Sequence, residues 1–308
     1  MKHFVNLRDI STKDLKKIIL DAKRRKSKRK SSSTLDPDKD KPLEGKLLIQ
    51  MFEKSSLRTR LSFYIAIKQL SGGALTLRPD ELHLSKGQES LIDTAKVIST
   101  FGNAFMLRTD SEKKIDVLKK YMSIPLINGL SPENHPTQIL SDIFTIEEIK
   151  KKSISKLQIS WIGDANNVLN SLIEASVKFS FKLNIGCPKN YEPNKKLLRW
   201  AKKNSSKIKI FNDSKKAVSN SDVVFTDKVI SMNDKVNKKK KLKDFKKFQV
   251  NSNLMKNCKN AIFLHCLPRG SEVTDDVFLS KQSKVWEQAL NRIYVQKSIL
   301  LYCFGKLR

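Results

Sequence analysis

Phe52-Glu53-Lys54-Ser55-Ser56-Leu57-Arg58-Thr59-Arg60 is the stretch on which the reading of this chain turns. An apolar run of strand character, Lys46 to Met51, leads straight into it. From Arg58 to Leu70 the apolar residues fall at helical spacing, which predicts Leu61, Tyr64 and Ile65 on one face, broadened by Phe63, Ile67 and Leu70. A strand therefore ends in a tight polar turn, and the turn opens a helix. The first N–H groups of that helix, the positive end of its dipole and the hydroxyls of Ser55, Ser56 and Thr59 gather at one point, with the guanidinium groups of Arg58 and Arg60 added. Such a point suits an anion, and a phosphate above all. An ordinary Ser N-cap flanked by two solvated arginines fits the same letters, so the rest of the chain has to decide.

Working downstream, the pattern of strand then helix repeats. Gly72-Gly73 leads into a short strand, Ala74 to Leu77, and Pro79 to Gln88 reads as a polar loop. Ser90 caps a helix carrying Ile92, Ala95, Val97 and Ile98, and Ala104 to Leu107 reads as a buried strand stopping at Arg108. Lys113 to Tyr121 reads as helix, Ile124 to Leu130 as strand, and His135-Pro136-Thr137-Gln138 starts a long helix to Lys150. Lys151-Lys152-Ser153 is a polar break and marks a domain boundary. Beyond it, Gln158 to Gly163 is a strand, and Asn166-Asn167 opens a helix through Phe179. Phe181 to Gly186, Ile208 to Phe211, Asp222 to Thr226 and Ala261 to Leu264 read as further strands, the last stopping at His265-Cys266-Leu267-Pro268. Asp227 to Lys241 reads as a lysine-rich loop, and about Val285 to Cys303 as the last long helix. Upstream, Ser11 with Asp14 predicts a helix start, followed by an apolar face of Leu15, Ile18, Ile19 and Ala22. The basic, serine-rich run Lys23 to Ser33 reads as a solvated extension of that helix, with a nucleic-acid tail as the alternative.

Strand and helix in alternation argue for parallel α/β architecture. Ligands in such sheets bind beyond the C-terminal ends of the strands. Three of those ends carry groups suited to one small anion: Ser56 to Arg60, Arg108, and His135 with Gln138.

With 308 residues, two medium domains are expected. A formal charge of +30 raises nucleic acid or an anionic membrane as a partner. The lysines are spread along the whole chain, however, and aromatic residues are only 7%, so neither a basic cluster nor a stacking platform stands out. The expectation is therefore no nucleic acid and no membrane. The four cysteines match no zinc spacing and no dense disulfide framework. No apolar signal or spanning run is seen, and a soluble, cytoplasmic protein with reduced thiols is expected.

Taken together, S-L-R-T-R at Ser56 to Arg60, Arg108, H-P-T-Q at His135 to Gln138, W-I-G-D-A-N-N at Trp161 to Asn167, Thr226-Asp227 with Ser231-Met232, H-C-L-P at His265 to Pro268 and Asn291-Arg292 resemble the ornithine carbamoyltransferases of the aspartate/ornithine carbamoyltransferase superfamily. The likeness runs from the first helix to the last. It implies transfer of a carbamoyl group from carbamoyl phosphate to the δ-amine of L-ornithine, as in arginine biosynthesis or the urea cycle. The fold implied is two parallel-sheet α/β domains joined by interdomain helices: residues 1–150 for carbamoyl phosphate, completed by a C-terminal helix (about 285–308) crossing back, and 151–284 for ornithine. A homotrimer is implied, with no cofactor and no metal. On the same resemblance, Ser56, Leu57, Arg58, Thr59, Arg108, His135, Gln138, Cys266, Leu267 and Arg292 fall at carbamoyl phosphate, and Asn167, Asp227, Ser231 and Met232 at ornithine. Arg108, Cys266 and Asp227 are the candidate catalytic residues.

Each residue has a plainer explanation. Cys266 fits an inert buried thiol, His135 and Asn166-Asn167 fit helix caps, Asp227 a turn, and Arg292 a solvated helix face. The chain also departs from the family pattern. Leu57 stands for a Thr, Val229 for a Trp, Asn233 for a Gly, and Asp110-Ser111-Glu112 lacks a His often found there. Leu57 adds weight to related enzymes acting on acylated ornithine; putrescine and aspartate are the other acceptors to exclude. The rival of another class is a non-catalytic nucleic-acid-binding protein.

Overall fold

The strand-forming runs build two all-parallel sheets. The computed structural model describes residues 1–29, 31–78, 89–230 and 237–307. The loop expected over residues 79–88, and Ser231, Met232 and Asn233, lie outside that description. The chain divides into two units, Met1–Phe144 with Leu290–Arg308, and Thr145–Ala289.

In the first unit the order is α1 (Thr12–Ser27), β1 (Leu47–Phe52), α2 (Leu57–Gln69), β2 (Gly73–Leu77), α3 (Leu91–Phe101), β3 (Ala104–Arg108), α4 (Glu112–Tyr121), β4 (Leu126–Leu130) and α5 (Pro136–Lys150), which leads on into the second. There follow β5 (Gln158–Ile162), α6 (Asn167–Phe179), β6 (Lys182–Gly186), α7 (Lys195–Lys203), β7 (Lys207–Phe211), α8 (Ser214–Val218), β8 (Val223–Thr226), α9 (Lys238–Phe245), α10 (Ser252–Met255), β9 (Ile262–His265) and α11 (Asp275–Phe278). α12 (Val285–Cys303) returns the chain to the first unit.

The sheets have strand orders β2-β1-β3-β4 and β7-β6-β5-β8-β9. In each, the chain winds outward from one central strand, then restarts on that strand's other side. The crevice at such a switch point lies outside the C-terminal ends of the two adjacent strands. Here those pairs are β1 with β3, and β5 with β8. Register places Phe52 beside Arg108 in the first sheet, and Trp161 beside Phe225 in the second.

β1 and β3 are buried along nearly their whole length, as a strand covered by helices on both faces must be. Ile49, Met51, Phe105 and Leu107 pack with Ala95 and Ile98 of α3 and Ile115 and Leu118 of α4. Each fully buried side chain of this size stabilises the fold by about 1.5–3 kcal/mol. In the second unit Ile162, Val224 and Phe263 join a cluster with Val250, Val273 and Val277.

Three expectations need correction. The buried side of α2 is Thr59, Ser62, Phe63, Ala66, Ile67 and Gln69, whereas Leu57, Leu61 and Tyr64 form an exposed stripe. Helical spacing marks an apolar stripe but does not say what covers it. The segment before Lys241 is also not all loop: Lys238–Phe245 is α9, and Lys241 is buried, donating to Asp164 Oδ2 at 2.6 Å.

The solvated reading of the basic run holds for Lys23, Arg24 and Lys28, which are exposed, but not for Arg25, Lys26 and Arg29. Arg25, on the buried side of α1, donates to Asp21 (3.0 Å), Asp38 (2.7 Å) and Asp40 (3.0 Å), and Arg29 donates to Asp38 (3.0 Å). From α12, Lys297 donates to Asp38 (2.6 Å) and Gln69 (3.0 Å), and Ser298 to Asp21 (2.8 Å). Burial pushes the Lys297 ammonium down to about 8, against the pull of Asp38. Arg25 and Arg29 face carboxylates within fifteen residues, and Asp21 and Asp38 in turn meet Ser298 and Lys297 far along the chain, which the local composition of the run does not reveal.

Candidate active site

The β1–α2 turn is braced before it reaches its functional side chains. The Glu53 N–H donates to the Arg108 carbonyl at 2.9 Å, and its carboxylate accepts from Lys114 Nζ (2.5 Å) and from the Thr109 hydroxyl. Ser56 stands at the N-cap of α2, but its hydroxyl makes no cap hydrogen bond, so the ordinary Ser cap is not what this residue does. Thr59 is buried and Arg58 half-buried; Arg60 is exposed and lies over the Phe52 ring at 4.8 Å. Leu57 is 69% exposed.

Around this turn the first unit collects cations. His135, at the start of α5, is buried, and its pKa is held well below the usual imidazole value, first by burial and then by Arg292, Arg108 and Arg58. His135 is therefore a neutral imidazole near neutral pH, ringed by three guanidinium groups from α12, β3 and α2. Arg292 is only 2% exposed, which excludes the solvated reading. It donates to the Gln138 amide oxygen and, at 2.8 Å, to the Thr59 hydroxyl. Gln138 in turn donates to Asp142 at 2.7 Å. The Gln138 oxygen thus already serves Arg292, and only its second lone pair remains for a ligand N–H.

The second unit builds a different site at its own switch point. Gly163, with φ +143°, needs glycine, and a Cβ there would stand 3.3 Å from the Thr226 hydroxyl. Asn166 caps α6, accepting from Val168 (3.0 Å) and Leu169 (3.1 Å), while its amide donates to Asp227 Oδ2 at 2.7 Å. Cys266, half-exposed, donates to the other oxygen, Asp227 Oδ1, at 3.0 Å. Thiol, amide and carboxylate thus meet where β5, β8 and β9 end. Asn167 is the first residue of α6, beside this cluster in sequence.

The turn carrying Cys266 is fixed by a buried pair that sequence reading missed. The Leu267 N–H donates to His265 Nδ1 at 2.8 Å, so the imidazole proton sits on Nε2, which faces Glu272 Oε1 at 2.9 Å. The His265 N–H donates to Gln288 at 3.0 Å, and Leu267 takes a left-handed φ of 59° before a cis bond to Pro268. Burial alone would raise the Glu272 carboxyl, but hydrogen bonds from His265 and the Gly270 N–H outweigh it and hold its pKa below the usual glutamate value. A group depressed in the folded state contributes stability above its unfolded pKa and loses it as pH falls through the folded value. Glu272→Gln keeps an acceptor but loses the charge, so it should cost about 1 kcal/mol near pH 7. Thermal melts from pH 7 down to 3 should show the two proteins converging; parallel curves would contradict this.

Comparison with known proteins addresses both halves. The carbamoyl-P binding domain of the aspartate/ornithine carbamoyltransferases matches residues 2–148, and their Asp/Orn binding domain matches residues 155–303. The chain belongs to the aspartate/ornithine carbamoyltransferase family. It is 41% identical over 307 residues to an ornithine carbamoyltransferase of Rhizobium meliloti, covering 99% of each chain, and 40% identical to that of Agrobacterium fabrum, covering 99% of this chain and 98% of that one. Among solved structures it is similar to the ornithine carbamoyltransferase of Pyrococcus furiosus, with TM-score 0.91, 38% identity and coverage of 99% and 97%. It also resembles the anabolic ornithine carbamoyltransferase of Campylobacter jejuni, with TM-score 0.89, 35% identity and coverage of 99% and 100%.

The departures from the carbamoyltransferase pattern can now be placed. The Leu57 side chain is in solvent, Val229 is buried in the second unit's core, and Asn233 lies outside the described residues. Where the family often has a His, Ser111 caps α4 and Asp110 faces Lys54 at 3.9 Å.

Proposed function

We propose that the chain transfers the carbamoyl group of carbamoyl phosphate to the δ-amine of L-ornithine, giving L-citrulline and phosphate. The observation that carries this reading is that each sheet holds, at its own switch point, the chemistry one substrate needs. The first has a cationic cluster around a neutral histidine, and the second the Asp227 carboxylate beside a thiol. In the reaction the amine nitrogen bonds to the carbamoyl carbon, and the carbon's bond to the phosphate oxygen breaks. Negative charge grows on the carbonyl oxygen and then on the departing phosphate, and donors aimed at those oxygens stabilise it. Ser56, Arg58 and Thr59 take the phosphate, with the backbone at Leu57; Arg108, His135 and Arg292 take the carbonyl oxygen and its surroundings. Gln138 accepts from the carbamoyl NH₂ with its second lone pair. Asp227 pairs with ornithine's ammonium groups, and Cys266 helps orient or deprotonate the attacking amine. Asn167, Ser231 and Met232 take the amino-acid end, and Leu267 contributes beside Cys266. No cofactor and no metal enters this scheme.

The exposed apolar stripe Leu57, Leu61 and Tyr64 supports an interface between copies, and we assign the homotrimer of the family reading to it. Exposed lysines on α1, α4, α7 and α9 are spread over both units, which favours solvated faces over a nucleic-acid groove. No described helix is long and apolar enough to cross a membrane, which suits action in the cytoplasm. The anabolic relative from Campylobacter jejuni supports citrulline formation for arginine biosynthesis. The test is product formation from carbamoyl phosphate with ornithine, N-acetylornithine, putrescine and aspartate compared. Citrulline formation should dominate. A higher kcat/KM for acetylornithine or putrescine would replace the acceptor, and no transfer to any of the four would leave the nucleic-acid-binding alternative.

A further inference from the structure

Lys26 belongs to the run read from sequence as solvated, yet its ammonium donates to Asn291 Oδ1 on α12 at 2.7 Å. It also sits 5.8 Å from the Phe144 ring on α5 and 5.7 Å from the Tyr294 ring on α12. These are the two helices that Arg292 and Gln138 join. Asn291 is fully buried and directly precedes Arg292. We propose that Lys26 is a positioning residue: by gripping Asn291 against α5 it sets the rotation of α12, and with it the place of the Arg292 guanidinium. The inference rests on Arg292 being part of the carbamoyl-phosphate site.

The geometry gives the grip its leverage. At roughly 8 Å from the helix axis, a guanidinium moves by more than about 1 Å for a helix rotation of about 10°. A displacement of that size at a reacting centre is enough to cost orders of magnitude in rate. The ties from Ser298 to Asp21 and from Lys297 to Asp38 hold the same helix about two turns further on, so they limit sliding and tilt. The Lys26–Asn291 bond is the tie adjacent to Arg292 itself. Its loss should therefore act on one substrate, whereas a general loosening of the first unit would act on stability.

The experiment is two-substrate steady-state kinetics, with thermal melts, on Lys26→Met, Lys26→Arg, the exposed neighbour Lys23→Met and Arg292→Ala. Lys26→Met should lower kcat/KM for carbamoyl phosphate about tenfold and leave the KM for ornithine within about twofold, with the melting temperature little changed. Lys26→Arg, which keeps a cationic donor, should recover most of the loss, and Lys23→Met should match wild type. Should Lys26→Met fail to fold, Lys26→Ala, which also removes the donor to Asn291, is read in the same way. Wild-type kinetics for Lys26→Met, a loss falling equally on both substrates, or no rescue by arginine would overturn the proposal while leaving the site intact. Wild-type kinetics for Arg292→Ala would instead overturn the site reading, and the proposal with it.

Discussion

Arg58→Ala will cut kcat/KM for carbamoyl phosphate by about 30- to 1,000-fold, a loss of about 2–4 kcal/mol of transition-state stabilisation. Carbamoyl phosphate brings a phosphate that becomes more negative as it leaves. Arg58 stands in the first turn of α2, where the helix's own first N–H groups already favour an anion, and it is one of three cations close enough to depress the pKa of His135. Removing it takes away a charge-assisted donor that neither Arg108 nor Arg292 replaces, since Arg292 is held by Gln138 and Thr59. Because His135 stays neutral well below its usual pKa, the acid limb of the rate profile should not report its titration. A folded Arg58→Ala protein with near-normal turnover would contradict the assignment of the turn.

Asp227→Asn will lower kcat/KM for ornithine by about 100-fold, or about 2–3 kcal/mol, while Cys266→Ala will cost about tenfold. Free ornithine carries protonated amines near neutral pH, and only the neutral δ-amine attacks. On the proposed role the carboxylate supplies the countercharge that draws the ammonium in, and its oxygens accept from Asn166 and Cys266. Asparagine keeps the shape but loses the charge, and it turns one N–H pair toward a donor that expects an acceptor. Losing the thiol removes only one of the two supports of the carboxylate. The rate of wild type should rise toward alkaline pH as the neutral amine becomes more abundant. Kinetics of both variants across pH would check this, and an ornithine KM unchanged in Asp227→Asn would contradict it.

Much of this was legible in the sequence because parallel α/β folds couple pattern to place. Apolar runs followed by polar turns and helices fixed the strands. The rule that ligands sit beyond strand ends then singled out Ser56 to Arg60, Arg108, and His135 with Gln138, whereas Asp227 and Cys266 came from the family resemblance. What escaped was long-range pairing. Lys26 and Arg29 looked solvated because their neighbours in the chain are basic, while Asn291 is far away in sequence and Asp38 lies nine residues on, across a turn. Asn167 drew attention, whereas Asn166 is the residue that bonds Asp227, since the choice depends on which of two amides faces β8. Glu272 carried no local signal, for its partner His265 lies seven residues away across a turn whose shape composition does not encode. Leu61 and Tyr64 had the right spacing for a core face, and only the fold shows that this face points outward.

The central claim is that the two units divide the substrates, the first taking carbamoyl phosphate through Arg58 and its neighbours, the second taking ornithine through Asp227. The most direct measurement is a calorimetric titration of carbamoyl phosphate into wild type, Arg58→Ala and Asp227→Asn. Binding should be close to wild type in Asp227→Asn and weakened by at least about tenfold in Arg58→Ala. Loss of binding in Asp227→Asn, with binding retained in Arg58→Ala, would contradict it.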